Sequence, residues 1–255
     1  MDENLQKEKY NNQGCLMKIV EYNKSSDIVV EFQDNYKYRI NTIYANFKSG
    51  SIKNPYYPSV YGVGIIGTKY PRSVNCRNIK EYETWRHVLR RCYDSELKGR
   101  QPTYNDVFCC DEWLCYENFY EWLHKQSNFD KWYEGKRWAV DKDIFTKRNK
   151  VYSPENCCLV PQNVNCLFLK REAERGDYPI GVRYTNDGFL AVCRNPFLDS
   201  AEELGCYSTP ERAFMAYKVY KENIIKQVAE IEYKNGNIIK ECYEAMLNYV
   251  VEIDD

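Results

Sequence analysis

Trp138-Ala139-Val140-Asp141-Lys142-Asp143-Ile144, then Thr146–Lys150, then Val151-Tyr152-Ser153-Pro154-Glu155-Asn156, is the stretch on which the reading of this chain turns. Its first seven residues read as a strand, and the next group as a turn rich in basic side chains. The return segment is expected to enter a helix near Pro154 that runs past Gln162, Asn163 and Asn165, with Ser153 and Pro154 suited to the N-cap and first helical position. A hairpin followed by a helix would bring Asp141, at the end of the first strand, close to Asn156. Two oxygen donors of that kind suit a hard divalent cation such as Mg²⁺.

On the N-terminal side, Trp85, Val88, Leu89 and Cys92 recur at helical spacing, so Lys80–Tyr93 is an amphipathic helix with Arg86, Arg90 and Arg91 off its apolar stripe. Those arginines are either a solvated basic face or a phosphate-contacting one. A second helix covers Asp111–Lys125, with Phe119, Trp122 and Leu123 inward. Further back, Cys15–Tyr22, Asp27–Phe32 and Tyr36–Tyr44 read as strands of a small sheet, closed by a loop over Phe47–Pro55. The Gly62, Gly64, Gly67 spacing supports no dinucleotide site, because no strand-to-helix crossover follows it.

On the C-terminal side, Ile180–Tyr184, Phe189–Arg194 and Leu204–Ser208 form three short strands, the first two joined tightly at Asn186-Asp187-Gly188. Thr209 caps a long helix with Pro210 at its first position, and Asn235–Asp255 continues as helix, then strand. The fold class is therefore α+β, in three parts: a small β-rich module over 1–70, a central hairpin-and-helix core with flanking helices over 71–178, and a three-stranded sheet plus helix over 179–255.

The 255 residues are 44% hydrophobic and 29% charged, which excludes disorder for the bulk of the chain. The start carries no apolar core of a signal peptide and no run of 18 apolar residues occurs, so an intracellular protein without a membrane span is expected. In that compartment the 12 cysteines read as thiols or metal ligands rather than disulfides, and no Cys-x-x-Cys pair is present. With 36 basic and 37 acidic side chains there is no global field for nucleic acid, and 179–255 holds eight basic against thirteen acidic residues, Asp199, Glu202 and Glu203 among them. Any phosphate contacts must come from local clusters, of which Lys142, Lys147, Arg148 and Lys150 form one.

The Asp141-Lys142, Pro154-Glu155-Asn156-Cys157 and Leu159-Val160-Pro161-Gln162-Asn163-Val164-Asn165 segments resemble the HNH nucleases with their ββα-metal motif. The wider frame, with Arg91-Cys92-Tyr93 and Cys110-Asp111-Glu112-Trp113, is similar to a group of phage-borne HNH-like homing endonucleases. The resemblance implies a cytoplasmic, phage-encoded protein that binds double-stranded DNA and hydrolyses its phosphodiesters, with Asp141 and Asn156 holding Mg²⁺ or Mn²⁺. It also implies that Cys92, Cys110, Cys157 and Cys158 could brace the core around a structural Zn²⁺; buried reduced thiols are the competing reading. The C-terminal part resembles the Apetala or ethylene-response-factor DNA-binding domain through Gly181-Val182-Arg183, Leu204-Gly205 and Thr209-Pro210-Glu211-Arg212-Ala213. By that resemblance Arg183 and Arg194, with Tyr184 beside them, would meet DNA.

The departure from the family is Lys142, where the general-base histidine is usual. A lysine with an ordinary pKa of about 10.4 stays protonated and takes no proton from water. Tyr152 beside a metal, or Asp143, could act as base in its place, with Lys142 binding phosphate as a point charge. Alternatively the hairpin has lost catalysis and the protein is a DNA-binding regulator, or a phage module aimed at a host protein.

Overall fold

In the N-terminal stretch an apolar side chain falls on every second residue, the pattern of a strand with one face buried. The computed structural model, which describes residues 3–169, 177–198 and 200–255, leaving Asp199 outside, builds four antiparallel strands there. These are β1 (Glu8–Tyr10), β2 (Leu16–Lys24), β3 (Asp27–Phe32) and β4 (Arg39–Thr42). Met17 pairs with Phe32 and Ile19 with Val30, and both pairs are buried with Ile28, Ile52 and Phe47. Phe47 explains a departure from expectation: burying it under the sheet turns part of the expected loop into helix α1 (Tyr44–Ser49), which ends at Gly50 with φ 73°.

A short hairpin, β5 (Ser73–Val74) and β6 (Arg77–Asn78), precedes α2 (Lys80–Tyr93), whose limits are those read from its periodicity. Trp85, Val88, Leu89 and Cys92 are buried, and the Trp85 indole donates to the Trp113 carbonyl at 2.7 Å. Helix α3 (Ser95–Arg100), strand β7 (Phe108–Cys109) and α4 (Tyr116–His124) follow. The expected helix from Asp111 is thus split: a 3-10 turn over Asp111–Leu114 precedes α4.

Contacts divide the chain into two compact units, Met1–Glu121 and Trp122–Asp255, which cut across the expected boundaries at 70 and 178. The reason in the second unit is a shared core. After α5 (Phe129–Glu134), β8 (Trp138–Asp141) and β9 (Val151–Tyr152), the chain forms β10 (Cys158–Pro161), antiparallel to β8 with Cys158 opposite Asp141. Cys158 and Val160 of β10, with Val164 and Leu167 of α6 (Gln162–Leu167), pack into one core with Val182, Ala191 and Cys193 of the C-terminal sheet. Among the described residues, one hydrophobic core therefore continues across the expected boundary at 178.

This core also corrects the helix expected from Pro154. Cys157, Cys158, Leu159 and Val160 are all buried, so the run is apolar on both faces, which suits a covered strand. A turn precedes it, in which the Asn156 and Cys157 amides both donate to the Ser153 carbonyl at 3.2 and 3.1 Å. The Ser153 hydroxyl accepts no amide, so Ser153 is not an N-cap.

The C-terminal sheet orders β11 (Val182–Thr185), β12 (Gly188–Asn195) and β13 (Ser200–Tyr207), all antiparallel. Helix α7 (Pro210–Lys234) lies on it through Ala213, Phe214 and Tyr217, with the Thr209 hydroxyl accepting the Arg212 amide at 3.3 Å as its cap. Helix α8 (Lys240–Leu247) packs on α7, and the expected final strand is absent: 248–255 carries no helix or strand.

Gly181 enters β11 with φ 76°, and a Cβ there would stand 2.0 Å from the Tyr217 ring. Gly181→Ala is expected to destabilise the second unit by about 2 kcal/mol or more, from the backbone conformation and the clash together. Urea unfolding followed by circular dichroism checks this; an unchanged midpoint would contradict the packing of α7 on β11.

Candidate functional site

Strand β8 stops at Asp141 because the side chain takes over the role of the next ladder partners. Asp141 is 7% exposed, and its Oδ1 accepts the amides of Asp143 at 2.8 Å and Ile144 at 3.0 Å. This is an Asx turn, a side chain standing in for backbone. The expected strand through Ile144 is shortened for that reason. Burial pushes the Asp141 carboxyl up, against the two amide hydrogen bonds that favour its charged form.

Lys142 does not stand free to hold phosphate. Its side chain is buried, and Nζ donates to both oxygens of Asp143 at 2.7 and 2.8 Å and to the Asn149 carbonyl at 2.5 Å. Three acceptors use the three N–H bonds of an ammonium and leave no lone pair to act as a base. Asn149 closes the same loop from the other side, its Nδ2 donating to the carbonyls of Lys142 and Val151, both at 2.8 Å. The sequence reading missed Asn149; the signal is an Asn in a polar turn between two short strands. Tyr152 is buried with its ring 6.0 Å from the Lys142 ammonium, and Asp143, the other base considered, is the partner of Lys142.

Asn156 lies two residues before Cys158, the cross-strand partner of Asp141, so both expected metal ligands sit at one end of the β8–β10 hairpin. The fit to Mg²⁺ is nevertheless poor. That ion keeps several waters and binds through accessible carboxylate oxygens, whereas Asp141 is covered and commits one oxygen to two amides. Among the described residues no group of three or more His, Cys, Asp or Glu side chains gathers as a metal site. For the expected zinc set, Cys92 and Cys157 are buried and Cys110 is half-buried, while the Cys158 thiol is pushed well up by a hydrogen bond with Cys242 and by burial. Buried thiols of this kind pack as small hydrophobes.

The basic turn is already neutralised. Lys147 Nζ donates to the Val250 carbonyl at 2.8 Å, to Glu252 at 2.9 Å and to Asp255 at 2.8 Å, and stands 5.0 Å from the Tyr249 ring. Arg148 pairs with Asp254 at 2.6 Å, and Lys150 is exposed. The two pairings differ in weight. Arg148 and Asp254 are 51% and 66% exposed, so water and salt screen that pair, whereas Asp255 opposite Lys147 is 4% exposed. On α2, Arg86 pairs with Glu83 at 3.0 Å and Arg90 with Asp94 at 3.3 Å, and Arg91 is half-buried.

In the C-terminal sheet, alternation sets the faces. Val182 and Cys193 point into the core beneath α7, so their neighbours Arg183 and Arg194 take the opposite face, and both are exposed. Arg183 Nη2 meets Glu203 Oε1 there at 2.8 Å. Tyr184 alternates with Arg183 and so is not its companion; its ring packs by Phe189 and Tyr178, with centroids 5.4 and 6.4 Å away. The chain matches no protein-family model, and no curated protein or solved structure matches it significantly. Among the described residues no helix is long and apolar enough to cross a membrane.

Because the folded-state pKa of Asp141 lies above its ordinary 3.8, ionising it opposes folding. The favourable contribution of the neutral form is complete below 3.8 and is lost as pH rises through the raised value. Asp141→Asn keeps an oxygen for the two amides and is expected to be more stable than the parent at pH 7 and nearly equal to it at pH 3. Urea midpoints at both pH values test this. A parent that Mg²⁺ or Mn²⁺ stabilises while the variant is unaffected would make Asp141 a metal ligand instead.

Proposed function

We propose that this chain binds double-stranded DNA through the face of its C-terminal sheet that α7 leaves uncovered, and that the Asp141–Asn156 hairpin supports this binding unit rather than cutting DNA. The observation that carries the reading is the pair Arg183 and Arg194, exposed together on that face and backed by the buried residues Val182 and Cys193. A twisted antiparallel sheet is narrow enough to enter the major groove, and arginine forks suit guanine edges. The clamp of Lys142 between Asp143 and Asn149 supports the non-catalytic half of the reading. Metal-dependent hydrolysis is the second reading, favoured by Asp141 and Asn156 sharing one hairpin end.

Gel-shift titration of duplex DNA, with Mg²⁺ or Mn²⁺ added in parallel incubations to detect cleavage, separates them. Salt-sensitive binding without cleavage is expected, weakened about tenfold or more by each of Arg183→Ala and Arg194→Ala. Cleavage lost in both Asp141→Ala and Asn156→Ala would establish the second reading. Absence of binding at low salt would remove both.

The acidic segment adds an expectation of its own. Glu252, Asp254 and Asp255 occupy the cations of the basic turn. A Glu252→Gln, Asp254→Asn, Asp255→Asn variant releases Lys147 and Arg148, and should bind duplex DNA more tightly with a salt slope steeper by about two units. Identical slopes would mean that the basic turn does not meet phosphate even when freed.

A further inference from the structure

The first unit holds a cavity of about 500 Å³ that neither the hairpin nor the C-terminal sheet accounts for. Its polar lining includes Ser59, Arg72, Ser73, Asn78, Tyr82 and Arg86. Two guanidiniums, four hydroxyls (that of Tyr61 included) and a side-chain amide can all donate hydrogen bonds, and none of the residues lining the cavity is a carboxylate. Glu83 stands nearby but outside the lining: it pairs with Arg86 at 3.0 Å, accepts from Asn78, and lies 3.9 Å from His87. One carboxylate against two arginines leaves the cavity with an excess of positive charge.

The donors are held on a firm frame. Ser73 and Asn78 are cross-strand partners in the β5–β6 hairpin, so they share a face, and the Ile79 amide extends the pairing to the Arg72 carbonyl at 3.0 Å. The residue before Arg72 is tied down by the Tyr116 hydroxyl, which donates to the Pro71 carbonyl at 3.0 Å. Tyr82 and Arg86 come from the first two turns of α2, whose buried stripe begins with Tyr82 and Trp85. The Tyr82 phenol is raised by burial and held back by the charges of Arg86 and Arg72, so both cations act on one point of the cavity.

From this arrangement we infer that the cavity binds a phosphate group, as a monoester or a diester, between Arg72 and Arg86 with Ser73 and Asn78 as neutral donors. Planar arginine forks match phosphate oxygens two at a time, and hydroxyl and amide donors satisfy the remaining ones. The site lies wholly within the first unit and does not depend on the duplex-DNA reading of the second.

Titration calorimetry on the full chain at low salt tests it with three probes: inorganic phosphate, a short oligodeoxynucleotide bearing a 5′-phosphate, and the same oligodeoxynucleotide without it. Saturable binding is expected, weakened about tenfold by Arg72→Gln or Arg86→Gln and abolished in the double variant. Arg86→Lys should recover part of it, because charge remains while the fork is lost. Binding of inorganic phosphate and of the 5′-phosphorylated probe alone assigns a monoester site; equal binding of both oligodeoxynucleotides assigns a diester of the backbone. The inference is overturned if the wild type gives no saturable response to any probe, or if the double variant, with an unchanged thermal midpoint, binds as the wild type does.

Discussion

The carboxylate of Asp141 accepts two backbone amides at the buried end of β8, and the geometry of the second unit around the hairpin follows from that turn. The chain leaves the strand there instead of continuing through Ile144, which frees Ile144 to enter the core with Val160 and Val164. The excursion between residues 142 and 151 then has to satisfy its own polar groups, and it does so locally through Lys142, Asp143 and Asn149. A buried lysine is tolerated because all three of its donors are used; removing its acceptors would leave a charge in a desolvated place. The same closure covers Asp141 and engages every N–H bond of the Lys142 ammonium, while the Asp143 carboxylate stays 44% exposed.

Many of the cations have a carboxylate at short range, from near or far along the chain. Lys147 and Arg148 meet the acidic segment 252–255, Arg90 meets Asp94 on its own helix, and Arg183 meets Glu203 across the sheet. A chain with 36 basic and 37 acidic side chains has no long-range field to draw a polyanion, so recognition of one would have to rest on short-range geometry where donors outnumber carboxylates. The cavity between Arg72 and Arg86 and the uncovered face of the C-terminal sheet are two such places. In the basic turn the donors are matched by carboxylates, and any anion there competes with Glu252, Asp254 and Asp255.

Much of the fold was legible because it is written in local signals. Helix α2 follows from the spacing of Trp85, Val88, Leu89 and Cys92, and helix α7 from Thr209 and Pro210. The alternation over Asp27–Phe32 marks a strand, and the Asn186-Asp187-Gly188 turn marks the tight connection of β11 to β12. The segment after Pro154 misled, since Ser-Pro-Glu is a good helix start by its own chemistry; the buried run Cys157–Val160 overrode it, its last three residues pairing with β8. Helix α1 was hidden for the converse reason: nothing in Tyr44–Ser49 announces a helix except Phe47, and its burial depends on a sheet formed by other residues.

For the site, residue identities were readable and their availability was not. The sequence alone determined that Asp141, Lys142 and Asn156 would share one hairpin region and that Arg183 and Arg194 would lie on short strands, because spacing along a strand or a turn is a local property. Tertiary structure decided that Lys142 is buried, that Asp255 sits on Lys147, and that Arg72 and Arg86 face one cavity from segments fourteen residues apart. Burial and ion pairing depend on which distant groups arrive at a side chain, and no local pattern encodes that.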